Sequence, residues 1–158
     1  GTKLEKQSDN TLEIRKMSME DVPQVYEIEK QSFTNSSWSM EAFYHELEKN
    51  EFAHYFVVSL GEEIIAYCGL WLVIDQAQIT TISVSRNYRN SGVGQLLLEY
   101  VMNFASSTCT TMSLEVRIEN DVARHVYEKA GFTYGGVRKN YYGDGEDAKV
   151  MWVSLKNV

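Results

Sequence analysis

The sequence predicts an α/β fold in which helices cover both sides of one mixed sheet. Strand-type and helix-type segments follow the order β-α-α-β-β-β-α-β-α-β-β along 158 residues. Two strand-type segments flank a tight Gly61-Glu62 turn, which is typical of a hairpin. A loop with two glycines separates a strand rich in β-branched residues from an amphipathic helix. The length suits a single domain with one core.

The N-terminal third contains one predicted strand and two predicted helices. The strand covers residues 11–17, and the first helix is entered at Ser18, with acidic residues in its first turn. The only proline, Pro23, lies near that start, where a missing N–H group matters little. Ser39 is predicted to cap a second helix over residues 40–49.

The rest of the chain contains the other six strands and two helices. Residues 55–60 and 63–73 form the hairpin, and residues 77–85 form a strand that lacks Gly and Pro. Apolar residues then recur three and four apart, which predicts a helix from about residue 92 to residue 106. The remaining elements are a strand over 111–118, a helix over 121–129 and strands over 132–140 and 148–155, the last two joined by a Gly143-Asp144-Gly145 turn.

Composition limits the class of protein. The chain is 44% hydrophobic and 23% charged, as in soluble globular domains. No apolar run approaches membrane-spanning length, and the polar start is not a signal peptide. We expect residues 1–10 to be disordered and residues 11–158 to form the domain. Cys68 and Cys109 show no pairing pattern, which predicts free thiols in a reducing cytoplasm, and the scattered histidines argue against a metal site.

The net charge of −7 bears on possible partners. A nucleic-acid-binding domain normally carries a basic stripe, so the acidic balance argues against one. An acidic surface suits a cationic partner such as a basic peptide N-terminus, although the charge can equally serve solubility alone. We expect a monomer or a weak dimer.

The loop over residues 89–94 is the most informative segment. Glycines at a helix start let backbone N–H groups face outward, and the helix dipole adds positive potential there, which predicts an anion site with phosphate as its usual occupant. A P-loop is excluded because Gln95, and not lysine, follows Gly94. A dinucleotide fingerprint is excluded because position 97 is leucine. A plain strand-to-helix turn is the alternative.

The pattern Arg-x-x-Gly-x-Gly in this loop resembles the pyrophosphate loop of the GNAT superfamily of acetyl-CoA-dependent N-acetyltransferases. A second segment, residues 114–132, is similar to the family's second half, with Asn120, Ala123, Tyr127, Gly131 and Phe132 at the expected spacings. Two motifs in the right order are much more specific than one. The resemblance covers about residues 14–155 and is greatest to the bacterial, RimI-type ribosomal-protein-alanine N-acetyltransferases. Ser37 stands where that group commonly has proline.

The resemblance implies a fold and a cofactor site. The GNAT fold has a mixed, mostly antiparallel sheet of about seven strands, whose two central parallel strands splay apart to admit acetyl-CoA. The resemblance implies that backbone amides of the strand with Ile82 and Val84 hold the pantetheine, and that one near Val84 holds the thioester carbonyl oxygen as the oxyanion donor. The full set of cofactor-binding residues implied is Ile82, Ser83, Val84, Arg89, Asn90, Ser91, Gly92, Val93, Gly94, Gln95, Asn120 and Tyr127.

Glu115 is the first candidate catalytic residue. It lies in mid-strand, where glutamate is disfavoured, between two residues that point to the opposite face. A carboxylate that pairs with Arg117 or is simply exposed is the structural alternative. The resemblance implies a general base, and a carboxylate, directly or through water, is adequate for an α-amine, which is partly neutral at pH 7 because its pKa is about 8.

Tyr127 is the second candidate catalytic residue. Its helical spacing alone predicts a core tyrosine, whereas the resemblance implies a general acid that protonates the departing thiolate. Asn120 is predicted from sequence to cap the same helix. An acetyl-cysteine intermediate on Cys68 or Cys109 is less favoured than direct transfer, because neither has an activating sequence neighbour.

Trp38, Tyr141 and Tyr142 are the candidate substrate-binding residues, with aromatic packing as the alternative. By resemblance the reaction is transfer of acetyl to the N-terminal alanine of a small-subunit ribosomal protein. Two alternatives stay open: a GNAT enzyme acting on a small amine or a lysine side chain, and a non-catalytic CoA-binding module. The presence of both Glu115 and Tyr127 argues against the last.

Overall fold

The computed structural model of the protein describes residues 11–32, 38–117, 120–138 and 147–156. The elements follow the predicted order, which confirms the α/β class. They are β1 (Leu12–Lys16), a 3-10 turn (Met19–Asp21), α1 (Val22–Ser32), α2 (Met40–Lys49), β2 (Ala53–Leu60), β3 (Glu63–Val73), β4 (Gln76–Val84), a second 3-10 turn (Arg86–Tyr88), α3 (Val93–Ser106), β5 (Thr111–Arg117), α4 (Asp121–Lys129), β6 (Thr133–Arg138) and β7 (Ala148–Ser154).

The seven strands form one sheet in the order β1-β2-β3-β4-β5-β7-β6. Every neighbouring pair is antiparallel except β4 and β5. The parallel ladder is short: it starts where Gln76 faces Thr111 and ends where Gln78 faces Ser113. Beyond that point β4 and β5 are not paired with each other. A gap therefore opens between their C-terminal halves, as the resemblance implies.

Strand alternation divides the core into two layers. One face of the sheet, here the α1–α2 face, packs Val25, Phe43 and Tyr67 into one buried cluster. The opposite α3–α4 face packs a larger cluster that includes Leu97 of α3 and Tyr127 of α4. Because successive strand residues point to opposite faces, β2 and β3 contribute side chains to both layers.

The first helix begins differently from the expectation. Residues 19–21 form a 3-10 turn and the α-helix starts at Val22. The Asp21 carboxylate accepts hydrogen bonds from the Ser18 N–H group (2.8 Å) and from the Arg15 guanidinium (2.7 and 2.8 Å). This local capping tightens the first turn and attaches it to β1.

Several expectations concern parts of the chain outside the described ranges: disorder in residues 1–10, the Gly143-Asp144-Gly145 turn and the Ser37 departure. Within those ranges, no helix combines the length and apolar character that a membrane span needs. The same residues contain no group of three His, Cys, Asp or Glu side chains placed to hold a metal ion. Cys68 and Cys109 are buried free thiols.

Candidate active site

The loop before α3 has the backbone of an anion site. Asn90 and Gly92 both adopt left-handed conformations, with φ of 62° and 88°. Gly92 is the N-cap, so no side chain caps the helix, and the first helical bond runs from Leu96 N–H to the Gly92 carbonyl (3.0 Å). The N–H groups of Val93 and Gly94, like that of Gln95, therefore have no partner within the helix and point beyond its end. A helix start left uncapped in this way suits an external anion.

This loop lies against the end of β4. A Cβ atom on Gly94 would stand 3.4 Å from Val84 Cγ2, so the helix start approaches that strand closely. The Arg89 Nε group donates to the Val84 carbonyl (3.2 Å). Ser91 Oγ donates to the Tyr88 carbonyl, which closes the loop on itself. The residues predicted to bind the phosphate and the strand predicted to bind the thioester thus lie next to each other.

The backbone of β4 turns alternate N–H groups into the gap. Ser85 N–H donates to the Ile65 carbonyl of β3 (2.7 Å). Alternation along a strand then directs the N–H group of Ser83 toward β3, and those of Ile82 and Val84 away from it. Since the ladder with β5 has ended at Gln78, these two groups face the open gap.

Glu115 lies on the α1–α2 face of β5. Its neighbours Leu114 and Val116 are buried in the α3–α4 layer, as the sequence predicts, while Glu115 itself is half-buried on the other side. Gln78 Nε2 of β4 donates to Glu115 Oε2 (3.2 Å), at the point where the two strands begin to separate. The carboxylate therefore stands at the edge of the gap.

Tyr127 lies on the opposite side of the sheet from Glu115. It is 8% exposed, belongs to the α3–α4 layer, and its ring centroid is 5.8 Å from that of Phe132. Asn120 caps the helix that carries it, because its Oδ1 accepts from Ala123 N–H (3.2 Å), which confirms the predicted cap. The two candidate catalytic residues thus lie on different faces of the sheet. The gap between β4 and β5 connects these two faces.

Trp38 packs between α1 and α2. Its ring is 5.3 Å from that of Phe43 and 6.1 Å from that of Tyr55, and its backbone N–H donates to Glu29 Oε2 (2.9 Å). These contacts place it in the half-buried rim of the α1–α2 layer. The other two candidate substrate residues, Tyr141 and Tyr142, lie outside the described residues.

Glu29 was not among the sequence-predicted site residues. Its carboxylate is 1% exposed, and its Oε1 accepts from Tyr67 Oη and from Thr81 Oγ1 (3.1 Å). Burial is the main influence and raises the pKa of Glu29, against the opposing effect of these hydrogen bonds. A signal existed in the sequence: Glu29 follows Val22 by seven and Val25 by four, so it lies on the apolar stripe of the helix.

A second buried carboxylate, that of Glu46, is linked through Tyr55 to a bulge in β4. Glu46 accepts from Tyr55 Oη (3.0 Å) and from Trp71 Nε1 (2.5 Å), and Tyr55 Oη also contacts Thr80 Oγ1 (3.2 Å). The β3–β4 register shifts at this point, so that Thr80 is an extra residue. Gly69 is required here, because a Cβ would come within 2.4 Å of the Tyr55 ring.

Comparisons with known proteins agree with this geometry. The Acetyltransferase (GNAT) family matches residues 22–132. A putative ribosomal protein bS18-alanine N-acetyltransferase of Bacillus subtilis (strain 168) is 44% identical over 144 residues, which cover 90% of this chain and 95% of that protein.

Two solved structures share the fold. The ribosomal-protein-S18-alanine N-acetyltransferase of Escherichia coli has a TM-score of 0.80 at 28% identity. The matched region covers 94% of this chain and 99% of the Escherichia coli chain. Ard1 from Thermoplasma volcanium has a TM-score of 0.83 at 26% identity. The matched region covers 90% of this chain and 97% of the Ard1 chain. The fold, the gap and these relatives together show that the chain belongs to the GNAT family of acetyltransferases.

Proposed function

We propose that this enzyme transfers acetyl from acetyl-CoA to the α-amine of a protein N-terminus, with the N-terminal alanine of a small-subunit ribosomal protein as its substrate. The observation that carries the proposal is the continuity of the gap beside β4 with the uncapped start of α3. The start of α3 offers backbone N–H groups for an anion. The gap itself lies between Glu115 on one face of the sheet and Tyr127 on the other. The names of the relatives from Bacillus subtilis and Escherichia coli support this choice of substrate.

The phosphate end of acetyl-CoA suits the loop before α3. The N–H groups of Val93, Gly94 and Gln95 supply donors at the positive end of the helix dipole, and Arg89 supplies a full charge. Gly92 leaves space there, since a Cβ on it would have no atom within 4 Å. The whole loop from Arg89 to Gln95, including Asn90 and Ser91, is the proposed diphosphate site.

The acyl end suits the gap. The N–H groups of Ile82 and Val84 are aimed into it, as donors to the thioester carbonyl must be, and such donors usually supply the largest electrostatic contribution to acyl transfer. Ser83, between them, directs its N–H group toward β3. Its hydroxyl is hydrogen-bonded to Ser32 of α1, which helps to fix the strand. Asn120 holds the start of the helix on which Tyr127 lies, and it is a further proposed contact to the cofactor arm.

Glu115 is the proposed general base. An α-amine has a pKa of about 8, so a carboxylate at the gap edge, directly or through a water, can accept the proton that must leave before or during attack. The neutral amine forms the new C–N bond, and the C–S bond breaks. Tyr127, on the far side of the gap, is the proposed donor of a proton to the departing thiolate. Direct transfer needs no acetyl-cysteine, and burial of Cys68, which raises its thiol pKa, favours the same conclusion.

The acceptor side of the site is the α1–α2 face. The net charge of −7 suits a basic N-terminal segment. Trp38, between the two helices, and the tyrosines at 141 and 142 are the proposed contacts to the peptide.

The experiment uses acetyl-CoA and two matched basic peptides, with the position of any added acetyl located by mass spectrometry. One peptide begins with a free alanine followed by arginine. The other has a blocked N-terminus and an internal lysine. The proposal predicts acetylation of the free alanine only, and none in a control without enzyme.

The other outcomes overturn different parts of the proposal. Acetylation of lysine alone would move the substrate to a side-chain amine while leaving the cofactor site in place. Transfer to neither peptide, with acetyl-CoA bound, would favour a small amine or a non-catalytic role. A protein that binds no acetyl-CoA would contradict the site itself.

A further inference from the structure

Ser32, the last residue of α1, is connected to both parts of the proposed acetyl-CoA site. Its Oγ accepts a hydrogen bond from Arg89 Nη2 (3.0 Å) in the loop before α3. The same Oγ is hydrogen-bonded to Ser83 Oγ of β4. Because the Ser32 oxygen accepts from Arg89, its own proton can be donated to Ser83. One hydroxyl thus connects the α1 terminus, the strand beside the gap and the cationic loop residue.

Arg89 is held by one edge of its guanidinium group. Nε donates to the Val84 carbonyl and Nη2 donates to Ser32, so both protein acceptors lie on the Nε/Nη2 side. A guanidinium has five donors in a rigid fork, and the edge formed by Nη1 and Nη2 is the second one that can bind a phosphate through two parallel hydrogen bonds. Within the described residues, no hydrogen bond engages Nη1. The orientation leaves that edge for a ligand.

Both acceptors are neutral. A carbonyl and a hydroxyl fix the direction of the guanidinium without cancelling its charge, whereas a carboxylate in the same place would compete with a phosphate. Arg89 is otherwise exposed, and an unrestrained arginine loses considerable side-chain entropy when a ligand immobilises it. Holding the side chain in the unliganded protein lowers that loss.

We propose that Ser32 is a positioning residue for acetyl-CoA: its hydroxyl, anchored on Ser83, orients Arg89 toward the diphosphate. This inference rests on the proposed function, since it needs Arg89 at the diphosphate site. It assigns a role in cofactor binding to the end of α1, a helix that otherwise belongs to the acceptor side of the enzyme.

The experiment is a double-mutant cycle measured as the Kd for CoA by titration calorimetry on the full chain. Ser32→Ala is expected to weaken binding by about three- to ten-fold, the loss of one hydrogen bond to a charged group at an exposed position. In an Arg89→Ala background the same substitution should change the Kd by less than about two-fold, because the group it orients is gone. Ser32→Thr, which keeps the hydroxyl, should restore most of the affinity.

Gln31→Ala is the matched control. Gln31 Oε1 accepts from Arg86 N–H (3.1 Å), so this neighbour also joins the end of α1 to the segment after β4, whereas the side-chain hydrogen bonds of Arg89 go to Val84 and Ser32. Its Kd for CoA should stay within about two-fold of the parent protein. With acetyl-CoA in steady state, Ser32→Ala should raise KM by a larger factor than it lowers kcat.

Each other result overturns a defined claim. Unchanged or tighter CoA binding by Ser32→Ala would show that Ser32 does not orient Arg89 productively. An equal loss in the Arg89→Ala background would show that Ser32 acts by another route. If Arg89→Ala alone leaves the Kd unchanged, the diphosphate assignment under the proposed function fails as well, and the two failures are therefore distinguishable.

Discussion

Replacing Glu29 tests whether the buried carboxylate of α1 is a structural centre of the α1–α2 face. It accepts from Tyr67, from Thr81 and from the Trp38 N–H group while being 1% exposed. Glu29→Ala removes the acceptor of all three bonds and leaves the Tyr67 and Thr81 hydroxyls buried without it. At about 1 kcal/mol for each bond, plus the cavity, the expected loss in the free energy of unfolding is about 3–5 kcal/mol.

Glu29→Gln is expected to behave differently because it keeps the size of the side chain. The amide oxygen can accept from the Trp38 N–H group, and the amide nitrogen can donate to the hydroxyls of Tyr67 and Thr81, which then act as acceptors. Burial raises the pKa of Glu29 above its ordinary value of 4.5, so the folded state binds this proton more tightly than the unfolded state. The stabilisation that comes from protonated Glu29 is fully present below pH 4.5. It is lost as the pH rises through the raised pKa of the folded state.

The parent protein should therefore lose free energy of unfolding relative to the Glu29→Gln variant across that window. The slope is at most about 1.4 kcal/mol per pH unit for one proton. Urea denaturation followed by tryptophan fluorescence, from about pH 4 to about pH 8, measures the difference at each pH and spans the change from its start near the ordinary pKa. Glu27→Gln is the matched control, since Glu27 lies on the same helix with its side chain 65% exposed.

Two results would refute this reasoning. A difference between the parent protein and Glu29→Gln that stays flat with pH, or grows in the opposite direction, would mean that burial does not govern the pKa of Glu29. A Glu29→Ala variant that loses no more than the exposed control, about 0.5 kcal/mol, would mean that the three hydrogen bonds contribute little.

Three further predictions concern the proposed reaction and its supporting helix. Glu115→Gln should lower kcat by about two orders of magnitude or more while the Kd for CoA stays within a few-fold; unchanged turnover removes Glu115 from the mechanism. Gly94→Trp should abolish CoA binding in a protein with an unchanged circular dichroism spectrum, whereas Gly94→Ala, whose Cβ would lie 3.4 Å from Val84, should still bind. Asn120→Ala should lower the free energy of unfolding by about 1 kcal/mol, seen as a Tm lower by about 2–4 °C, because Ala123 N–H loses its cap.

Elements with local signals were predictable from the sequence. The predicted helices over residues 40–49 and 121–129 have those bounds in the structure, and their predicted caps, Ser39 and Asn120, both accept from a backbone N–H three residues on. Strand ends were less predictable because they depend on a partner. β2 begins at Ala53, which faces Trp71, two residues before the expected start.

The same distinction applies to the site. The loop before α3 could be predicted because its glycines and the following helix are contiguous in sequence. Glu29 could not be connected to Thr81 in this way, since the two residues are 52 positions apart and meet only when α1 packs on β4. The bulge at Thr80 likewise depends on Tyr55 lying over Gly69, a contact that neither local pattern indicates.

Two glutamates on the α1–α2 face differ in their suitability for catalysis, and accessibility decides between them. A raised pKa in an acidic side chain is often a sign of a functional group, which would favour Glu29. Yet its two oxygens already accept three protein hydrogen bonds, and at 1% exposure the residue offers almost no surface to an incoming amine. Glu115 is half-buried at the edge of the gap, where a proton can leave to solvent. The perturbed carboxylate therefore supports the structure, and the accessible one is the proposed base.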